Sequence, residues 1–266
     1  MINLKKFATT FLSVLLCVAM VGCSNKPKEN KDAEVRAEFQ KAFEAYKEMT
    51  YDSWTYDFEV SDSSILSEEK REKYGDNFKS ISEKGITIFE HKRDESNKIT
   101  DCIVSKQAYT RTVTDKDGKV KVEKVYVPGD GYKYEDKDGT KTKTKYVSSF
   151  RSFAYDSLNI DNIENITLAT EGNKKIFKFN YRTNPVIDLY CGWGSYLRID
   201  SNIEIKNFSG TLTVDEKNNT MKETMNAEYV DKKTGVTAKG TMVGNYSKIN
   251  QELTFPKDLD AYKLAE

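Results

Sequence analysis

One histidine, His91, stands in 266 residues. A Ser–His or Cys–His nucleophile pair would have to be built around it. Cysteine is nearly as scarce, with 4 in the chain and no CxxC, so a zinc site has few ligands to draw on. Proline numbers 4, and no Pro/Gly/Ser-rich stretch follows Asp32, so nothing marks a boundary between two domains. Charge of one sign is lacking as well. The 42 basic and 42 acidic residues cancel, leaving no global basic field for nucleic acid. The N-terminal hydrophobic run, Phe11 to Val21, is well short of the roughly 20 residues of a membrane-spanning helix. There is no phosphate-cradling glycine-rich loop ahead of a helix and no fixed-period repeat. These absences leave no catalytic constellation. The expectation is a protein that is not an enzyme, carries no cofactor or metal, and does not bind nucleic acid.

What is abundant is aromatic: 16 Tyr and 13 Phe. Disordered chains are poor in aromatics, and aromatic residues suit a pleated, half-buried surface. Ser53 to Val60 alternates, with Trp54, Tyr56, Phe58 and Val60 on one face, as a half-buried strand does. Before it, Val35, Phe39, Ala42, Phe43, Tyr46 and Met49 recur at helical spacing, which predicts an amphipathic helix over 33–49 with Asp32 as its N-cap. Ser61 to Lys84 reads as a charged excursion with a short helix over Ser67 to Tyr74. Alternation resumes over Ile86 to His91 and again from Cys102. The sequence then runs strand, turn, strand, with Asp117-Gly118 and Asp138-Gly139 as hairpin turns. A second short helix is expected over Phe150 to Leu158. Strands are expected over Ile163–Thr170, Ile176–Tyr181, Ile203–Val214, Met221–Val230, Thr237–Tyr246 and Glu252–Phe255. About a dozen strands in local hairpins, without βαβ alternation, predict one α+β domain over 33–266, built on a large antiparallel sheet.

The N-terminus has its own grammar. Lys5 and Lys6 precede the apolar run, which ends Met20-Val21-Gly22-Cys23 before the polar tract Ser24 to Asp32. This resembles a bacterial lipoprotein signal peptide with its lipobox, Met20 standing where leucine is usual. The resemblance implies removal of residues 1–22, a diacylglyceryl group on Cys23, a flexible tether over 23–32, and an extracytoplasmic domain anchored to the cell membrane. Two acyl chains hold a protein to a bilayer stably, at about 0.8 kcal/mol per buried methylene.

A second resemblance covers most of 33–264. The helix AEFQKAFEAYKEM leads into SWTYDFEV. The hairpin VYVPGDGYKYEDKDGTKTK precedes the middle of the chain, and FSGTLTVDEKNNTMKETMNAEYV and VTAKGTMVGNYSKINQELTFP close it. This order is similar to the LolA/LolB-like superfamily, and within it to LolA-like lipoproteins of Gram-positive bacteria with unassigned function. The resemblance implies a curved sheet forming an incomplete barrel, covered by the N-terminal helix and a short mid-chain helix. It also implies an apolar cavity that takes a lipid or another hydrophobic molecule.

Candidate walls of such a cavity are Phe39, Phe43 and Trp54, with Leu189, Tyr190, Trp193 and Tyr196 from the apolar segment Pro185 to Ile199. That segment reads either as a lip over a cavity or as core. Asp115-x-Asp117-Gly118 and Asp136-x-Asp138-Gly139 have the look of calcium loops but carry Lys124 and Lys145 where the last ligand belongs, so they read as hairpin turns. Cys102 and Cys191 could pair outside the cytoplasm or stand as two small buried thiols. A different class of function stays open: a structural or envelope-sensing module with a filled core and a protein partner.

Overall fold

A computed structural model describes residues 28–152, 156–182, 192–198, 201–249 and 252–265. The expected lipobox residues Met20, Val21, Gly22 and Cys23, and Leu189, Tyr190 and Cys191, lie outside these.

Helix α1 (Lys28–Lys47) forms as its periodicity predicts. Phe39, Ala42, Phe43 and Tyr46 recur at three- and four-residue spacing and are all buried. Glu38–Lys41 and Glu44–Lys47 pair on the exposed side. The helix begins earlier than expected. Asp32 is not its cap but sits inside it, near Arg36 one turn on. The chain leaves α1 directly into the sheet, where the Thr50 N–H donates to the Ser247 carbonyl.

Among the described residues thirteen strands follow: β1 (Tyr51–Val60), β2 (Phe78–Arg93), β3 (Ile99–Asp115), β4 (Val120–Val127), β5 (Tyr132–Lys137), β6 (Thr140–Lys145), β7 (Phe150–Ser152), β8 (Ile163–Glu171), β9 (Lys174–Tyr181), β10 (Ile203–Asp215), β11 (Thr220–Asp231), β12 (Thr237–Ser247) and β13 (Lys263–Leu264). They form one sheet in the order β13-β6-β5-β4-β3-β2-β1-β12-β11-β10-β9-β8, with β7 beside β3. Most neighbours are sequence-local and antiparallel, while β13 runs parallel to β6. The long-range pairing is β1 with β12, which joins the N-terminal meander to the C-terminal one from Tyr51↔Ser247 to Val60↔Ala238. The sheet is open, since β8 and β13 end the order without meeting. A short helix α2 (Glu68–Tyr74) is capped by Ser67 and stopped at Gly75, whose φ of 89° suits glycine. No helix among the described residues is long and apolar enough to cross a membrane.

Three expectations are corrected. Phe150 to Leu158 does not open as a helix: Phe150–Ser152 is β7, paired with Asp101–Ile103 of β3. A three-residue addition to a sheet is invisible to periodicity. Glu252–Phe255 takes no regular secondary structure and pairs in no ladder among the described residues, and Pro256 after it has no N–H to donate. The excursion over Ser61–Lys84 is strand from Phe78 onward. There Lys79, Ser80, Ser82 and Lys84 mask an apolar face carried by Phe78 and Ile81. The two Asp-x-Asp-Gly segments are hairpin turns. Asp115 Oδ1 accepts from the Asp117 and Lys119 N–H groups, and Gly118 and Gly139 take φ of 78° and 87°.

Candidate functional site

Ladder register decides which side chains share a face. Asp52, Trp54, Tyr56, Phe58 and Val60 of β1 stand opposite Thr87, Gly85, Glu83 and Ile81 of β2, and opposite Tyr246, Gly244, Met242, Gly240 and Ala238 of β12. Continued across the sheet, the same face carries Glu223, Met225, Ala227 and Tyr229 of β11, Leu212 of β10 and Phe177 of β9. On the other side it carries Gln107, Tyr109 and Arg111 of β3. This inner face holds both hydrophobic cores.

The first core lies under α1. Phe39, fully buried, sets its ring edge-on to Phe177 and Phe179 at 5.3 Å each. Phe43 stacks on Tyr46, and the Lys47 ammonium lies over its ring at 4.6 Å. The second core is covered by two turns, Ser63–Ile65 and Gly192–Tyr196. Trp193, 4% exposed, stacks on Tyr56 at 5.4 Å and rests on Gly240. A Cβ at Gly240 would come within 2.3 Å of the indole, so only glycine lets the ring seat there. Backbone bonds tie the turns together: Ser67 N–H to the Tyr196 carbonyl, and Arg198 N–H to the Ile65 carbonyl. Tyr196, half-buried, packs against Phe58 and Tyr74. Phe39, Phe43 and Trp193 are thus core side chains. Of the expected walls that are described, Trp54 and Tyr196 are partly exposed; Tyr196 packs under the turns, and Trp54 stands on the sheet itself.

Trp54 marks the centre of the inner face, where neither cover reaches among the described residues. Its ring lies 5.7 Å from that of Tyr109, and Gly85 sits recessed beneath both. Its Nε1–H donates to Thr87 Oγ1 at 3.0 Å, and Gln107 Nε2 donates to the same oxygen at 3.1 Å. Met225 and Met242, half-buried, bridge from this floor to the cores. Methionine adapts its shape, which suits a surface that accepts varied apolar partners. At the floor's far edge Arg111 is held by Glu83 at 2.5 Å and Glu123 at 2.9 Å. Burial works against its charge, but the two carboxylates raise its pKa overall. Burial also pushes the Tyr109 hydroxyl up to about 12, so it is neutral at physiological pH. The floor therefore offers rings, thioethers and a few hydrogen-bonding groups, with its one guanidinium already committed.

A separate cleft of about 200 Å³ lies beside α1, lined by Ala42, Ala45, Met49, Val214 and Met221 with Glu38 and Lys175 at its rim. It is smaller than the roughly 300–1,000 Å³ of drug-sized ligand sites. Among the described residues no group of three metal-ligating side chains converges. Cys102 is buried with its thiol free, and burial and Asp156 push that thiol up to about 12. Its suggested partner Cys191 lies outside the described residues.

Sequence reading missed Tyr109, Gln107, Thr87, Met225 and Met242, because each is one member of an ordinary alternating strand. Only register places them around Trp54.

No family model matches the chain, and neither does any curated protein. Among solved structures, a DUF1329 family protein of Desulfovibrio piger is 9% identical with a TM-score of 0.23, over 85% of this chain and 95% of that one. Outer membrane phospholipase A of Escherichia coli is 10% identical with a TM-score of 0.21, over 74% of this chain and 91% of that one. Likeness this low does not amount to a shared fold.

Proposed function

We propose that this chain is an extracytoplasmic lipoprotein, anchored to the cell membrane by a diacylglyceryl group on Cys23, that binds a lipid or other apolar molecule on the inner face of its sheet without chemical conversion. The single observation that carries the binding role is the floor around Trp54. One continuous sheet face is covered at two places, and between them Trp54, Tyr109, Met225 and Met242 are only partly buried. Exposed contiguous apolar surface on a folded domain marks a place where something binds. An open sheet with α1 across one part of the face is also the arrangement that an incomplete barrel of the LolA-like kind would have. The committed state of Arg111 favours a ligand with an uncharged or weakly polar head, met by Thr87 and Gln107.

Native mass spectrometry of the Cys23→Ser chain, purified from a lipid-containing extract, tests the binding role. A retained mass released on denaturation is expected, and Trp54→Ala with Tyr109→Ala should lose it while keeping the wild-type circular dichroism. A bare mass under conditions that preserve known lipid complexes would sink the binding role and point to a module with a protein partner. The anchor has its own test. Radiolabelled palmitate should enter the wild-type chain in cells and not Cys23→Ser; equal labelling would remove Cys23 as the attachment point.

A further inference from the structure

Beneath α1 lies a group of charges that the Trp54 floor does not use. Asp52 of β1, Asp156 in the segment after β7 and Glu223 of β11 are 8%, 7% and 0% exposed. One guanidinium, that of Arg151 on β7, hydrogen-bonds into the group, and Asp156 takes it. Arg151 Nε donates to Asp156 Oδ2 at 2.8 Å, the Tyr46 hydroxyl of α1 donates to the same oxygen at 3.3 Å, and the Leu158 N–H donates to Oδ1 at 3.1 Å. Glu223 receives hydroxyls: Ser157 Oγ at 2.8 Å and Tyr181 at 3.2 Å on Oε1, and Tyr246 at 2.9 Å on Oε2. Asp52 Oδ1 has no hydrogen-bond partner among the described residues. Among the described residues, these three buried carboxylates thus share one cation. A buried charge must be paired or neutralised, and a carboxylate without a cation is neutralised by taking up a proton.

We propose that Asp52 and Glu223, beside an Asp156 already paired with Arg151, form a proton-loaded latch under α1: the folded protein holds protons on Asp52 and Glu223 at neutral pH, and the helix loosens from the sheet as rising pH removes them. The electrostatics run the same way. Burial, and then the charge of Glu223, raise the Asp52 carboxyl well above the usual carboxylate range, outweighing the Asn245 N–H. Burial and Asp156 raise Glu223, against its hydroxyl donors and Arg151. The other described titratable groups facing the cluster do not supply a cation. Tyr181 and Tyr246 are raised well above their ordinary range, chiefly by burial, and the Cys102 thiol of β3 is likewise raised. The link to α1 is direct. Tyr46 hydrogen-bonds Asp156, its ring lies edge-on to Tyr246 at 4.8 Å, and the Arg151 guanidinium lies 4.4 Å over it.

The sign follows from linkage. In the unfolded chain carboxyls such as those of Asp52 and Glu223 lose their protons near pH 4. Above that the fold binds more protons than the unfolded chain, so stability falls with rising pH until the folded pKa is passed. Each held proton is worth about a tenfold change in the folding equilibrium constant per pH unit. Glu38, held down at about 2 by its hydrogen bond to Lys175, titrates far below this window and does not offset it.

The test is denaturant unfolding of the full chain from about pH 5 to pH 9, together with hydrogen exchange of residues 33–47 corrected for intrinsic rate. Wild-type stability should fall across the range, with α1 losing protection before β10–β12. Asp52→Asn and Glu223→Gln, tested separately, should each flatten the fall by up to about tenfold per unit. A flat wild-type profile, or an unchanged slope in both variants, overturns the latch. Simultaneous loss of protection in α1 and the sheet overturns its action on the helix. Should neither variant fold, a carbon-13 carboxyl titration of the wild type decides: Asp52 or Glu223 titrating above about pH 7 supports the proposal, and all carboxyls titrating below that overturns it.

Discussion

The inner face is covered twice, and the two covers solve the same problem differently. α1 lies over β8–β12 as one continuous element, and its core is filled by Phe39, Phe43 and Tyr46 reaching down to Phe177, Phe179 and Tyr246. Among the described residues the other core is covered by two short turns, with Tyr74 of α2 packed beside them. It is held by backbone bonds between them, and by a ring lowered into the sheet where Gly240 leaves room. A helix brings its own satisfied backbone, so it can bury a wide area and even a group of carboxylates beneath it. A turn cannot. Trp193 has to come close to the strand backbone, and its Nε1–H is left without a hydrogen-bond partner among the described residues.

That contrast can be broken from either side. The largest effect should come from Phe39→Ala, which empties the centre of the helix-covered core. A loss of about 3–5 kcal/mol is expected, read by denaturant unfolding. A loss below about 1 kcal/mol would mean that α1 is not the main cover. Leu197→Ala, 1% exposed under the turns, should cost about 2–5 kcal/mol. Hydrogen exchange should then rise first in β1 and β2, not under α1. Gly240→Ala should cost about 1–3 kcal/mol by lifting the indole. In a Trp54→Phe background the Trp193 emission should shift to the red, and an unchanged spectrum would show that the ring seats elsewhere. Trp54→Ala should be the mildest on stability, because its ring is only half-buried, yet the most damaging to ligand retention. A large stability loss with unchanged retention would make Trp54 a core residue and move the binding face elsewhere.

Much of the architecture was legible beforehand, and the reason is local. Alternation in SWTYDFEV and in VTAKGTMVGNYS survives in any sheet, and Asp-Gly turns force hairpins, so most strands fell within a few residues of their expected ends. What escaped were features that depend on a distant partner. β7 is three residues laid against β3, and β13 is two residues laid against β6. Phe78 looked like part of a charged stretch because its polar neighbours face the other way. One signal at the buried carboxylates was present and passed over. In Met221-x-Glu223-x-Met225-x-Ala227-x-Tyr229 a single acid interrupts an apolar face, and Asp52 precedes Trp54, Tyr56 and Phe58 in the same phase.

Period and turn chemistry act between residues a few positions apart, so the sequence by itself determined an aromatic-rich antiparallel sheet with an amphipathic helix ahead of it. Only the tertiary structure decided that β1 closes onto β12, that α1 and the 192–197 turn cover separate parts of one face, and that Trp54 and Tyr109 remain between them. It also brought Asp52, Asp156 and Glu223 under one helix. Such groupings arise from ladder register between strands nearly two hundred residues apart, as Tyr51 and Ser247 are, and a register shifted by one residue would have turned every one of these side chains to the opposite face.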